Sequence, residues 1–200
     1  NNFAGAWIFY TIFPKLPFIS PNFRNIAQCA PLIGYIVGSL QSLIYLTLID
    51  NSWPIYGSAS ICIASGFLIT GGLHTDGLMD TVDGLYADRK KMLKAMKDSR
   101  VGSFGVQAVI LTTLIQLGSL IKIDSNIFYT LPLCLFWGRF STLFYIDRFK
   151  YITFKKKSLS HKKYWRGFKK EAFLSIVFLL IIIFYNLITL KSNILLIKFL

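Results

Sequence analysis

Long uncharged apolar runs alternate with short polar breaks along this chain. Ile26–Ile49, Ser52–Leu73, Val101–Ile121 and Ala172–Leu190 carry no charged residue, and Ser125–Ile146 carries only Arg139. A hydrocarbon core of roughly 30 Å takes about 20 residues of helix, and a helix satisfies its own backbone polar groups in lipid. The pattern therefore predicts an all-α, polytopic integral membrane helical bundle, with five full spans and the start of a sixth at Asn193. Residues 1–25 read differently. FAGAWIFYTIF followed by PKLPFISP, with three prolines, predicts a short interfacial or re-entrant helix and then an extended link. No internal repeat or low-complexity tract divides the chain, so residues 1–200 read as a single membrane-embedded domain. It opens on Asn rather than Met and stops inside the sixth run, so its true start and a C-terminal part are expected beyond it.

Composition agrees: 54% of the 200 residues are hydrophobic, with 18 Phe, 10 Tyr and 4 Trp. The net charge of +13 is informative through its placement. Six of the 22 Lys and Arg lie in Asp88–Arg100, ten lie in Arg148–Lys170, and Lys15 and Arg24 precede the first span. Threading the spans in order puts all eighteen on one side, while the turns around Asp50–Asn51 and Lys122–Asp124 are nearly charge-balanced. That asymmetry predicts a cytoplasmic location for the 74–100 and 147–171 loops in the cell membrane, where basic loops also attract anionic lipid headgroups. The FKKK run at 154–157 reads as a solvated, lipid-facing cluster, and Asp147 beside Arg148 as an interfacial pair. No aromatic-interleaved basic motif points to nucleic acid. Cys29, Cys62 and Cys134 have neither metal-ligand nor disulfide spacing and read as small core residues. The oligomeric state is left open.

Against this basic background, GGLHTDGLMDTVDGLYADR at 71–89 holds four of the nine acidic residues. Asp76, Asp80 and Asp83 are spaced by four and three, which predicts an acidic helix between spans two and three with its carboxylates along one face. Like charges at that spacing repel, so a compensating cation is expected. Oxygen ligands on adjacent turns suit Mg²⁺, which takes one or two carboxylates and leaves positions for substrate phosphates. Gly71, Gly72, Gly77 and Gly84 weaken the helix but let a ligand or another helix approach its backbone. His74 has the chemistry to donate to a phosphate or orient a carboxylate. The plain alternative is a solvated loop whose acids balance the nearby lysines.

A second feature is KDSRVGSFG at 97–105. Asp98 could serve as a further ligand or proton acceptor, while Ser99, Arg100 and Gly102 offer groups suited to a phosphate. The same residues also make an ordinary helix start. Arg139, inside the fourth span, requires a partner, either the acidic cluster or an anionic ligand. No nucleophile constellation, HExxH, Walker loop or dinucleotide fingerprint occurs.

The run ITGGLHTDGLMDTVDGLYADRKKMLKAMKDSRVGSFG, residues 69–105, resembles the adenosylcobinamide-GDP ribazoletransferases, also called cobalamin (5′-phosphate) synthases. Their Gly-Gly-x-His-x-Asp-Gly-x-x-Asp-x-x-Asp-Gly pattern is met by Gly71, Gly72, His74, Asp76, Gly77, Asp80, Asp83 and Gly84. Their Met-(Lys/Arg)-Asp-Ser-Arg-x-Gly is met by Met96, Lys97, Asp98, Ser99, Arg100 and Gly102. Lys15-Leu16-Pro17, PLIGYIVG at 31–38 and the span-four Arg139 are also similar to family features. The resemblance implies a membrane-embedded catalytic domain that uses Mg²⁺ to join adenosylcobinamide-GDP to α-ribazole or its 5′-phosphate, releasing GMP. It implies metal-binding and catalytic roles for Asp76, Asp80 and Asp83, with Asp98 as a further ligand or base. It also implies substrate contacts from His74, Gly72, Gly77, Gly84, Ser99, Arg100, Gly102 and Arg139. Two departures stand out. The family's Gly-Gly-x-Thr-Gly-Asp-type motif after the sixth span is absent, and YITFKKKSLSHKKYW replaces its usual acid- and glycine-containing run.

Two rival readings exist. DTVDGLYADR at 80–89 approaches the Asp-x-x-Asp-Gly-x-x-Ala-Arg opening of CDP-alcohol phosphotransferases, but Asp88 intrudes and their later Gly-x-x-x-Asp-x-x-x-Asp does not follow. A membrane cation transporter would spread its carboxylates over several spans rather than gather them at one boundary.

Overall fold

The computed structural model of the chain describes residues 1–123, 127–150 and 161–198, with side chains through Phe184. The described elements are helical, with no strand among them. A short helix, α1 (Asn2–Tyr10), leads into an irregular link containing Pro14, Pro17 and Pro21, as the prolines predict. A 3-10 turn at Ile26–Cys29 then opens α2 (Ala30–Asp50), which is followed by α3 (Ile55–Thr70) and α4 (Leu73–Tyr86). After the short α5 (Met92–Ala95) come α6 (Ser103–Ile123), α7 (Ile127–Arg148) and α8 (Phe168–Lys198).

Among the described residues, three stretches are long and apolar enough to cross a membrane: Ile26–Asp50, Ser103–Ile123 and Ile127–Arg148. The expected second span takes another form. Its helix, α3, has only 16 residues and meets α4 at a bend of 89°, so the pair qualifies only as one broken element. Two consecutive glycines cause the bend, with φ of 60° at Gly71 and 72° at Gly72, in the left-handed region that costs glycine least. The Gly72 amide donates to Phe67 O (3.0 Å) and the Gly71 amide to Leu68 O (3.1 Å), the paired bonds that close a helix at a left-handed glycine.

The last helix corrects another expectation. Rather than ending near Leu190 before a sixth start at Asn193, α8 is continuous for 31 residues. Lys191-Ser192-Asn193 contains no Gly or Pro, so nothing local interrupts the helical hydrogen bonds. The FKKK run at 154–157 and Asp124 lie outside the described residues.

The bundle is organised around α2, whose most extensive contact is with α7. Gly34 and Gly38, one turn apart, make that closeness possible. A Cβ at Gly34 would stand 2.5 Å from Leu135 O, and one at Gly38 would stand 2.6 Å from Pro132 Cα. Small residues at this spacing let helix backbones meet in lipid, where packing replaces the hydrophobic drive. Buried polar groups then tie the helices together. Ser42 Oγ donates to Ile127 O on α7 (3.0 Å), and Gln41 Nε2 donates to Cys62 O on α3 (2.8 Å). Gly66 leaves room for the Gln41 amide, which a Cβ there would overlap. By contrast, α6 turns Ile110, Leu111, Leu114 and Ile115 outward, as a lipid-facing helix does.

Two smaller expectations change. Cys29 and Cys62 are buried as expected, but Cys134 is exposed on α7. Asp147 is not paired with Arg148: it accepts from Trp165 Nε1 (2.7 Å) and from the Phe168 amide (3.2 Å), capping the start of α8. An unsatisfied helix N-terminus is a better partner than a neighbouring exposed arginine. Below that cap, Arg166 bridges the buried Glu171 (2.7 Å) and Gln28 (2.8 Å), fastening α8 to the turn before α2.

Candidate active site at the elbow between α3 and α4

The Gly71–Gly72 elbow sets the direction of α4, so it also sets where the carboxylates go. Asp76 is exposed and Asp80 half-buried, one turn apart on α4, and among the described residues neither side chain has a hydrogen-bond or ion-pair partner. Beside them Gly72 and Gly77 face open space, with nothing among the described residues within 4 Å of where a Cβ would lie. Asp83 is placed differently. Its two oxygens accept from the Gly102 and Gly105 amides, each at 2.7 Å, so α4 is stitched to the first turn of α6. Gly84 is buried, with Met96 occupying the volume a side chain would need, so its close approach is to the chain itself. Among the described residues, no three His, Cys, Asp or Glu side chains form a group fit to hold a metal.

In the 97–102 segment, Asp98 and Arg100 have found each other. Arg100 donates through Nε (3.0 Å) and a terminal nitrogen (2.7 Å) to the two Asp98 oxygens, and its amide donates to Oδ1 (3.1 Å). Hydrogen bonds from the Arg100 side chain, and then from its amide, hold the Asp98 carboxyl well below the usual carboxylate range. A carboxylate held that low is a weak proton acceptor. Arg100 itself stays 88% exposed, and Ser99 is exposed beside it.

On the other side of the elbow, α1 closes in. The Ile12 amide donates to Ile69 O (2.9 Å), pinning the end of α1 to the last turn of α3. That places the buried Tyr10 ring 6.5 Å from the exposed His74 ring, at an interplanar angle of 24°. Arg139 on α7 lies close enough to act electrostatically on both Tyr10 and His74. The residue is 8% exposed, one terminal nitrogen donates to Leu135 O of its own helix (3.2 Å), and Nε has no partner among the described residues. Among the described residues it pairs with no carboxylate, so of the two partners its position allows, the acidic cluster is not the one in place.

The structure therefore joins the two motifs through Asp83, sets the Tyr10 ring beside His74, and turns Gly84 inward. Nothing in the sequence marks Tyr10 as a site residue. Its only signal there was membership of an aromatic run, which does not say which ring would meet the elbow.

Fold and site together define an integral, multi-helix membrane protein whose acidic and basic groups gather around one helix elbow and the loop it contacts. Within that class, the chain belongs to the cobalamin-5-phosphate synthase family, whose model matches residues 2–200. It is 43% identical over 185 residues to an adenosylcobinamide-GDP ribazoletransferase of the cyanobacterium Prochlorococcus marinus, covering 92% of this chain and 71% of that one. A protein of the same name from a second strain of that species is 41% identical over 182 residues, covering 90% and 70%. Another from Trichormus variabilis is 32% identical over 170 residues, covering 84% and 67%. No solved structure matches the chain. The CDP-alcohol phosphotransferase reading is not favoured by these relatives.

Proposed function

We propose that the protein transfers the phospho-cobinamide group of adenosylcobinamide-GDP to α-ribazole or its 5′-phosphate, releasing GMP in cobalamin biosynthesis. The observation that carries this reading is the family match along the whole chain, including both motifs of the elbow site. The enzyme is a multi-pass protein of the cell membrane, and its site faces the cytoplasm, on the side where the basic loops gather.

A ribose hydroxyl attacks the cobinamide-linked phosphorus. One P–O bond forms, the bridging P–O bond breaks, and GMP leaves with the bond electrons while the hydroxyl proton passes to a carboxylate of the α4 face. Asp76 and Asp80 are the carboxylates free to hold Mg²⁺, with open space at Gly77 for phosphates. Bound there, the ion would neutralise the diphosphate as GMP departs. Arg100, oriented by Asp98, offers an exposed guanidinium to a phosphate, and His74 stands at the open side of the elbow. Arg139 has a buried Nε that no described residue engages, in a position where a charged hydrogen bond to an anionic substrate counts for more than in water.

The direct test supplies adenosylcobinamide-GDP, α-ribazole 5′-phosphate and Mg²⁺ to liposomes carrying the protein. Equal amounts of GMP and corrinoid product are expected, and EDTA should stop both. Ion flux, or turnover of a CDP-alcohol, without GMP release would overturn the reading. Arg139→Gln should lower kcat/KM for the activated corrinoid about 100-fold, in line with losing one charged donor near the reacting phosphates. An unchanged kcat/KM would remove Arg139 from the site.

A further inference from the structure

We infer that Asp83 is a positioning residue and not a metal ligand: its carboxylate caps α6 across the site and thereby holds the loop bearing Asp98, Ser99 and Arg100 against α4. The inference rests on the proposed reading of α4 as the metal-bearing face, and it divides that face in two. Asp76 and Asp80 have no partner among the described residues, whereas both Asp83 oxygens are engaged by backbone amides at 2.7 Å.

The geometry of those bonds is that of a helix cap delivered from another helix. An α-helix leaves its first amides without intrahelical partners, and a side-chain oxygen from the residue just before the helix usually satisfies one of them. Here that residue is Gly102, which has no side chain. The acceptor comes instead from 19 and 22 residues upstream. The carboxylate sits at the positive end of the α6 dipole, which favours an anion and disfavours a second cation at the same point. Charge-assisted bonds of this length are among the stronger ones a backbone amide makes.

The surrounding glycines are fitted to this carboxylate. A Cβ at Gly102 would overlap it, and a Cβ at the buried Gly105 would stand 2.6 Å from its Oδ2 and 3.0 Å from Met79 O. The glycines of VGSFG therefore need no ligand to account for them; they leave room for Asp83. Because Gly102 is two residues from Arg100, the cap also limits how far the Asp98–Arg100 fork can move from α4.

The experiment compares the wild type, Asp80→Asn and Asp83→Asn in detergent. Mn²⁺ binding is followed by electron paramagnetic resonance, and amide exchange at Gly102 and Gly105 by mass spectrometry. Asparagine keeps the shape of Asp83 and one acceptor oxygen, so the variant should fold, and a single symmetric peak in size exclusion checks this. Asp83→Glu provides a second variant that retains the charge but moves it by one methylene. For Asp83→Asn, Mn²⁺ affinity should stay within about twofold of wild type and exchange at the two glycines should rise at least tenfold. KM for the activated corrinoid should rise more than kcat falls. Asp83→Glu should show the same order with smaller changes. For Asp80→Asn, Mn²⁺ affinity should fall more than tenfold with exchange at Gly102 and Gly105 unchanged. If Asp83→Asn weakens Mn²⁺ as much as Asp80→Asn does, or leaves glycine exchange at the wild-type rate, the inference fails. If Asp80→Asn binds Mn²⁺ like wild type, the metal reading of α4 fails instead, and glycine exchange alone then decides whether Asp83 is the cap.

Discussion

Asp80→Asn is expected to lower GMP release by the membrane-embedded protein on the order of 10³-fold, the scale of losing several kcal/mol of charge stabilisation in the transition state. The substitution changes one oxygen to an amide nitrogen and leaves volume and helix propensity nearly unchanged, so folding should be spared. Asp80 is half-buried, lies one turn from the exposed Asp76, and neither has a partner among the described residues. Two unpaired carboxylates one turn apart repel each other, and a divalent cation turns that repulsion into attraction. Removing one should therefore raise the Mg²⁺ concentration needed for half-maximal rate as well as lower the maximum. Turnover within threefold of wild type at low Mg²⁺ would show that the metal-bearing carboxylates lie elsewhere.

The largest effect on folding is expected from Gly38→Val. A Cβ at Gly38 would lie 2.6 Å from Pro132 Cα and 2.9 Å from both Leu131 O and Pro132 N, and all three neighbours are backbone atoms. No rotamer change relieves a backbone clash, so α2 and α7 must separate along the most extensive interface of the bundle. Overpacking usually costs about 1–3 kcal/mol, and a clash with a helix backbone falls at or beyond the upper end. The variant should lose well over 5 °C in thermal midpoint in detergent, or fail to give monodisperse protein. Gly118→Val is the control, because nothing among the described residues lies within 4 Å of that position on α6. Equal midpoints for the two variants would mean that the α2–α7 contact does not limit stability.

These two predictions differ in how much of their basis the sequence already held. The Asp76–Asp80–Asp83 spacing was enough to place three carboxylates on consecutive turns of one helix, and α4 spans all three. Spacing did not show that Asp83 would turn to α6 while its two companions remained without partners. The PLIGYIVG run was recognisable as a signature, but its physical role, two glycines one turn apart against Leu135 and Pro132, needed the partner helix. Likewise Asp147 beside Arg148 suggested a pair, and only the return of α8 showed the carboxylate capping Phe168.

The sequence by itself determined the membrane class, the helical architecture, the family and the address of the acidic and basic motifs. Each is written in local quantities: the length of an uncharged run, a spacing of three or four, or a side on which lysines accumulate. The tertiary structure alone decided the 89° elbow, the cap that Asp83 places on α6, and the approach of Tyr10 to His74. A helical period says which residues share a face. Which neighbour that face meets depends on how all the helices pack at once, and residues as far apart in sequence as Tyr10 and His74 become neighbours only through that packing.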